Sequence, residues 1–385
     1  MSTLKVAALQ GVSASSDAIT LANDGTCTAN ITNNLSNRNL IINGAMQVAQ
    51  RGTSSTTNGY GSVDRFMTAF NGTDESPTQA QVNVASGTTP YTLGFRKAFN
   101  LTNGNQTSGA GATDYLQIIT KLEAQNIATS GWNYLSSSSN ITLSFWVKSS
   151  VAQNFYGTFR TADGTVYSYP FETGSLSADT WTKVTKIIPG NSNLTFNNDN
   201  GVGIQIVLEV FRGTDYTGTV TLNQWGVYAG ATATPDQTST WYTTNDATFE
   251  ITGVQLEVSD YATDFEHRSY AQEALLCKRY YQVIKGNSDI VMFGSGRANG
   301  TTAACISVHL AVPLRASPTI SSTDFKGWGT EGSATATSTT PTVQPFNDTD
   351  NQLNMQFGSL SSLTNARTAV VSCASGSNLT MDAEL

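Results

Sequence analysis

GVQLEVSDYATDFEHRSYAQEALLCKRYYQVIK, residues 253–285, is where an apolar strand pattern runs straight into a helical one. Phe249 and Ile251 share one parity, and Val254, Leu256 and Val258 share the other, so the apolar face changes at Gly253. A glycine at a parity change marks a β-bulge, which kinks a strand and re-aims it. Beyond Asp260 the period lengthens. Ser269 followed by Gln272 fits a capping box, in which side chains satisfy free backbone donors of a first helical turn. Tyr270, Ala274, Cys277, Tyr281 and Ile284 then recur at spacings of 4, 3, 4 and 3, a seam of about two heptads. The spacing predicts a helix over 266–285 and admits two readings of its apolar edge. It packs on its own sheet, or three copies of the chain meet along it.

Strand patterns lie on both sides. Ile141, Leu143, Phe145 and Val147 alternate with polar positions, as do Ile204, Ile206, Leu208 and Val210. Strands at Phe155–Arg160 and Val166–Phe171 flank Ala162-Asp163-Gly164, a hairpin signal. Further strands are expected at Arg65–Phe70, Gln81–Val84, Thr92–Ala98, Tyr115–Thr120, Thr182–Ile188 and Thr219–Leu222, with a short helix over Glu123–Ala128. About ten strands in one run suit a jelly-roll β-sandwich. After the helix, Ile306, Val308, Leu310 and Val312 open a smaller C-terminal β-sandwich, with strands at Asp289–Phe293, Thr319–Phe325, Leu353–Phe357 and Arg367–Cys373. Thr330–Thr342 reads as a long surface loop. The fold class is therefore mainly β. Its parts are an extended arm (1–37), a jelly-roll sandwich (38–265), a linking helix (266–285) and a β tip (286–385).

Composition agrees. Only 12% of the 385 residues are charged, and Ser, Thr, Asn and Gly take up the difference. These residues favour turns and strand surfaces over helix interiors. A net charge of −8 without any cluster of Lys and Arg excludes a phosphate-gripping surface, so no nucleic acid is expected. No window is apolar for the length of a membrane span, so no membrane insertion is expected. Cys27, Cys277, Cys305 and Cys373 form no C-x-x-C pair and read as free thiols. The opening MSTLKVAALQGVSASS lacks the regions of a signal peptide.

Little in the chain calls for chemistry. His267 and His309 are the two histidines, and neither belongs to a metal-spaced set. No catalytic residue, metal or cofactor is expected. Glycan cleavage needs two carboxylates about 5–10 Å apart; Glu209 and Glu257 lie in strand patterns, but no spacing selects a pair. Aromatic rings are the stronger signal, because sugars stack their C–H faces on Trp and Tyr. Trp146 sits on the polar parity of its strand, while Trp132, Tyr134 and Trp241 lie in loops. These four are the candidate glycan-binding residues.

Three stretches carry a family resemblance: RNLIINGAMQVAQRGTS (38–54) with VDRF (63–66), ITGVQLEV and ATDFEHRSYAQEALLCKRYYQ (251–258 and 262–282), and LAVPLRASPTI (310–320). In this order the chain resembles bacteriophage tail-fibre and virion-appendage proteins, cyanophage ones among them. NLIINGAM also resembles the first strand of jelly-roll carbohydrate-binding modules. Those usually continue with an acidic residue that helps hold calcium; here Ala45 and Met46 follow, so no calcium site is expected. The resemblance implies a non-enzymatic structural protein of the virion, made in the host cytoplasm and assembled as a homotrimer. Its helix seam (Tyr270, Ala274, Cys277, Tyr281, Ile284) would join the copies. Its N-terminal arm would bind other virion proteins, and its distal β domains would meet host-surface polysaccharide. A purely structural nozzle or adaptor part is the alternative, and a glycan depolymerase the third.

Overall fold

A computed structural model describes residues 6–10, 19–21, 23, 27–29, 37–286, 292–322, 325–329, 332–335, 342–343, 351–358, 360, 363–373 and 378–385. Most of the expected arm lies outside them. Within it, β1 (Ala8–Leu9), β2 (Ile19–Leu21) and β3 (Cys27–Ala29) pair antiparallel.

The larger unit is built from β4 (Ser54–Ser55), β5 (Phe66–Asn71), β6 (Thr78–Asn83), β7 (Lys97–Thr102), β8 (Tyr115–Glu123), β9 (Asn140–Ser149), β10 (Asn154–Thr161), β11 (Tyr167–Ser175), β12 (Thr182–Pro189), β13 (Val202–Arg212), β14 (Gly226–Val227) and β15 (Thr248–Glu257). They form two six-stranded sheets, ordered β14-β11-β10-β13-β8-β5 and β12-β9-β15-β7-β6-β4. The pairings are antiparallel, and the chain crosses repeatedly from one sheet to the other. This is a two-sheet antiparallel β-sandwich. The Asp163-Gly164 hairpin joins β10 to β11, with Arg160 opposite Ser168. At Gly253 the backbone turns left-handed (φ 64°) and the β15–β9 register slips between Thr252 and Gln255. Because of that bulge, Phe249, Ile251, Val254 and Leu256 all reach one core.

Some expectations fail locally. Pro90 opens a short helix, α1 (Thr89–Thr92), so the strand expected from Thr92 begins only at Lys97. Thr219–Leu222 forms no strand; the segment is irregular up to a turn that starts at Leu222. The helix expected near Glu123 is present as α2 (Ala124–Ala128).

The deciding stretch itself divides. Ser269 caps α3 (Tyr270–Lys278), its Oγ accepting from the Gln272 N–H at 3.3 Å. The helix then stops, and Tyr281–Lys285 is β16, paired residue for residue with β25 (Asn378–Asp382). The run Tyr-Tyr-Gln-Val-Ile is rich in aromatic and β-branched residues, and the strand partner wins over the 4-3 spacing. Tyr281 and Ile284 are therefore not helical. Cys277 and Tyr281 are 1% and 7% exposed within a single chain, while Tyr270 is 62% exposed. The five residues share no face, and the seam is withdrawn as a trimer contact.

The C-terminal unit continues with β17 (Met292–Ala298), β18 (Ala304–His309), β19 (Thr319–Ser322), β20 (Phe325–Gly329), β21 (Gly332–Thr335), β22 (Thr342–Val343), β23 (Gln352–Phe357) and β24 (Thr368–Cys373). Seven of its strands form one sheet, ordered β21-β20-β24-β17-β18-β23-β22, and β16-β25-β19 form another. Its core gathers Ile306, Val308, Leu310, Leu353, Met355, Phe357 and Val371. The strand expected at Asp289–Phe293 lies outside the described residues except for its last two, which belong to β17. The expected loop at Thr330–Thr342 is described only in part, and there it forms β21 and the start of β22.

The two units meet at a joint made by the three family-like stretches. Asn43, left-handed at φ 61°, donates its N–H to Glu273 at 2.5 Å and its amide to the Val48 and Asp64 carbonyls. Arg51 pairs with Asp382 (2.9 Å) and Glu384 (3.3 Å), and its guanidinium lies 3.7 Å from the Tyr281 ring centroid. Arg65 pairs with Glu384 and stacks 3.5 Å from the Tyr280 centroid. Arg279 grips Glu123 with two bonds of 2.8 and 2.9 Å. Arg315 donates to the carbonyls of Asn200, Ala383 and Glu384. Burying guanidinium groups is costly unless they are paired and hydrogen-bonded; Arg51, Arg65 and Arg279 each have a carboxylate, and Arg315 has three carbonyl oxygens.

Candidate functional site

One candidate surface is the outer face of the β12-β9-β15-β7-β6-β4 sheet. Trp146 lies on it, between Lys183 on β12 and Thr252 on β15. One step along, Lys148 stands opposite Glu250, bonded at 2.7 Å, with its ammonium 5.3 Å from the Trp181 ring. Strand alternation places these side chains here, as it turns Phe145 and Val147 into the core.

A second layer folds over the same face. Ala45, Val84, Phe95 and Ala98 form a small buried cluster against which Tyr91, Trp146, Trp181 and Phe265 are half-buried. Phe95 and Phe265 meet edge to face at 4.9 Å, and His267 joins them at 5.1 and 4.9 Å. The His267 ring Nε2 is 2.8 Å from the Leu93 carbonyl oxygen, which ties the two covering loops together. Gly253 permits this: a Cβ there would meet the Phe95 ring at 2.6 Å. The loop at 263–266 is pinned from below. Thr263 donates to Glu257 through N–H and hydroxyl, and the Asp264 carbonyl accepts from Arg38.

Between the loops and the sheet a cleft of about 250 Å³ remains. Trp146, Phe95 and Phe265 supply its apolar surface; Lys183, Asp264 and Ser144 supply polar groups. Lys183 and Asp264 are exposed. A flat indole beside an exposed cation and an exposed carboxylate can stack a pyranose ring and hydrogen-bond its hydroxyls.

The other three aromatic candidates are not available for this. Trp241 is fully buried, and its indole N–H donates to the Thr248 carbonyl at 3.0 Å. Trp132 is 3% exposed and donates to the Ser139 carbonyl at 3.1 Å. Tyr134 is half-buried against the core, edge-on to Phe196 at 4.9 Å. Loop position suggested exposure, but a backbone carbonyl within reach satisfies each indole and lets the ring fill the sandwich end. Phe95, Phe265, Trp181 and His267 are the members that sequence reasoning missed. The bulge at Gly253 was their one local trace.

Glu209 and Glu257 sit in different sheets, each 1% exposed with its own partners. Glu209 accepts from Gln117 and Arg212, and burial pushes its carboxyl up against their pull. Glu257 holds Gln255 and Thr263. Among the described residues no group of three or more His, Cys, Asp or Glu is arranged for a metal, and no helix is long and apolar enough to cross a membrane. Cys277 is a buried free thiol and Cys305 a half-buried one.

No family model matches the chain, and no curated protein matches it. Similar solved structures include the enzymatically active domain of tailspike protein 4 from bacteriophage CBA120, at 12% identity and TM-score 0.31 over 57% of this chain. The match spans only 21% of that tailspike chain. The family 11 carbohydrate-binding module of Clostridium thermocellum, in complex with a β-1,3-1,4-mixed-linked tetrasaccharide, is similar at 10% identity and TM-score 0.25, over 55% of this chain and 98% of that one. A family 30 carbohydrate-binding module gives 12% and 0.26, over 59% and 92%. Likeness at this level does not bear on what the chain binds.

Proposed function

We propose that the chain is a glycan-contacting part of a phage tail fibre or related virion appendage, and that it holds sugar on the outer face around Trp146. The observation that carries the glycan reading is the half-buried indole at the base of a 250 Å³ cleft, beside exposed Lys183 and Asp264. The virion reading is supported by the three stretches that resemble phage appendage proteins, which fold together into one joint. The reading is of binding without bond cleavage.

Calorimetric titration of the purified chain with host-surface polysaccharide is the test. Trp146→Ala, with an unchanged circular dichroism spectrum, is expected to weaken binding at least tenfold, about 1.4 kcal/mol. Equal affinity of the two proteins would remove the cleft from the proposal. Absence of any glycan binding would favour the purely structural alternative, which the heavily braced joint also suits. New reducing ends in the mixture would favour a depolymerase.

A further inference from the structure

Among the tryptophans whose side chains are described, Trp132, Trp225 and Trp241 are sealed into the sandwich. Their indole N–H groups donate to the carbonyls of Ser139, Pro189 and Thr248. A buried indole usually finds such an acceptor. Trp146 and Trp181 are different. Both are half-buried, and among the described residues neither donates its N–H. They are also neighbours. In the pairing of β12 with β9, Lys183 stands opposite Trp146 and Thr182 opposite Val147. Trp181, one residue before β12, continues that register to Lys148, and the Lys148 ammonium lies 5.3 Å from its ring. The outer face therefore carries a checkerboard, with Trp146 and Trp181 on one diagonal and Lys183 and Lys148 on the other. Diagonal neighbours of an antiparallel pair stand about 7–8 Å apart, within reach of large side chains. Each ammonium has a carboxylate at hand: Lys148 is bonded to Glu250 at 2.7 Å, and Lys183 shares the cleft with Asp264. The cleft, of about 250 Å³, is smaller than the pockets of about 300–1,000 Å³ that enclose drug-sized ligands, and Trp181 is not part of its lining.

We propose that Trp181 is a second stacking platform, and that the ligand is the internal run of a neutral, linear polysaccharide lying diagonally across β9 and β12. The inference rests on the glycan reading of the Trp146 cleft and extends it. One sugar ring stacks on Trp146 in the cleft, and the adjoining ring stacks on Trp181 on the open face beside it. Hydroxyls between the two rings donate to Glu250 and accept from Lys148, whose side chains are 13% and 23% exposed. The open indole N–H groups add a donor at each platform. A terminal sugar alone would leave Trp181 unused. An acidic polymer would meet the Glu250 and Asp264 carboxylates together with the two ammoniums, so its charge brings no net attraction.

The probes are cello-, laminari-, xylo- and manno-oligosaccharides of increasing length, from the single sugar upward, with oligogalacturonates as the acidic comparison. They are titrated into the full chain while amide and indole N–H NMR signals are followed. At least one neutral series is expected to bind at least tenfold tighter as a short chain than as a single sugar. The short chain is expected to shift the indole signals of both Trp146 and Trp181, and the single sugar that of Trp146 alone. Trp181→Ala is expected to abolish the gain with length and leave single-sugar affinity unchanged, with a thermal melt to check its fold; the indole signals of the parent chain carry the test if that variant does not fold. Four results would each overturn the inference: affinity independent of length, a Trp181 indole signal that never moves, tighter binding of oligogalacturonates, or no binding by any neutral series. Length-independent binding that Trp146→Ala abolishes would overturn it while leaving the cleft proposal standing. Affinity unchanged in Trp146→Ala at every length would sink the cleft proposal, and the two-ring run with it.

Discussion

Gly44 shows how tightly single positions are held. A Cβ at Gly44 would lie 2.1 Å from the Val254 carbonyl oxygen, and the Gly44 carbonyl accepts the Val254 N–H at 2.9 Å. Backbone faces backbone, so no side chain can give way. Gly44→Ala is expected to cost about 3 kcal/mol or more, read as a lower urea midpoint with an unchanged slope. A loss under about 0.5 kcal/mol, the range of ordinary surface changes, would contradict the close approach. At this scale the sequence was partly legible. The parity change around Gly253 announced its bulge, because alternation is a local signal. The burial of Trp132 and Trp241 was not legible, because the carbonyls that satisfy their indoles depend on how loops close over the sandwich end. Gly44 meets a residue 210 positions away, and no local pattern encodes that.

Among elements, α3 is the most informative. Its cap was readable from Ser269, and its end was not. Helical spacing and strand propensity both fit residues 279–285, and β25, some hundred positions later, decides between them. The turn after the helix delivers Arg279 onto Glu123, which is fully buried at the junction of β8 and α2. Burial alone would raise the Glu123 carboxyl. Hydrogen bonds from Arg279 and Tyr280, with the arginine charge, outweigh it and hold the carboxyl below its ordinary value. A carboxyl depressed in the folded state adds stability that is full above the ordinary carboxylate range, about pH 4.5, and is lost as pH falls through the folded value. Glu123→Gln removes that contribution. Urea midpoints measured from pH 7 to pH 3 are expected to fall more steeply in the parent chain than in the variant. Asp64 and Glu209, whose carboxyls are raised by burial, act with the opposite sign but are common to both proteins. Acid limbs that superimpose would show that the Arg279 grip does not set the carboxyl.

Over the whole molecule, the sandwich and the C-terminal unit have separate apolar cores but share charged contacts that neither completes alone. Arg65 is 2% exposed and Glu384 is 5% exposed. Removing one partner of such a buried pair costs about 3–5 kcal/mol, because the other charge stays buried. In calorimetry the parent chain is expected to melt in one transition. Glu384→Ala, which strands Arg65 and leaves Arg51 with Asp382 alone, is expected to lower the melting temperature and split off the C-terminal unit as a separate peak. A single unshifted peak would mean that the two units are coupled by something else. The resemblance had marked the stretches that build this joint, but it did not say that they touch. The joint also bears on grafting. Arg51 and Arg65 on the sandwich reach Asp382 and Glu384, Arg279 on the linker reaches Glu123, and Arg315 of the C-terminal unit reaches the Asn200 carbonyl. A chimera cut at residue 285 with a foreign C-terminal unit would keep the Arg279–Glu123 grip whole but inherit only half of the Arg51, Arg65 and Arg315 clasps, so a transplanted unit has to carry its wrist along.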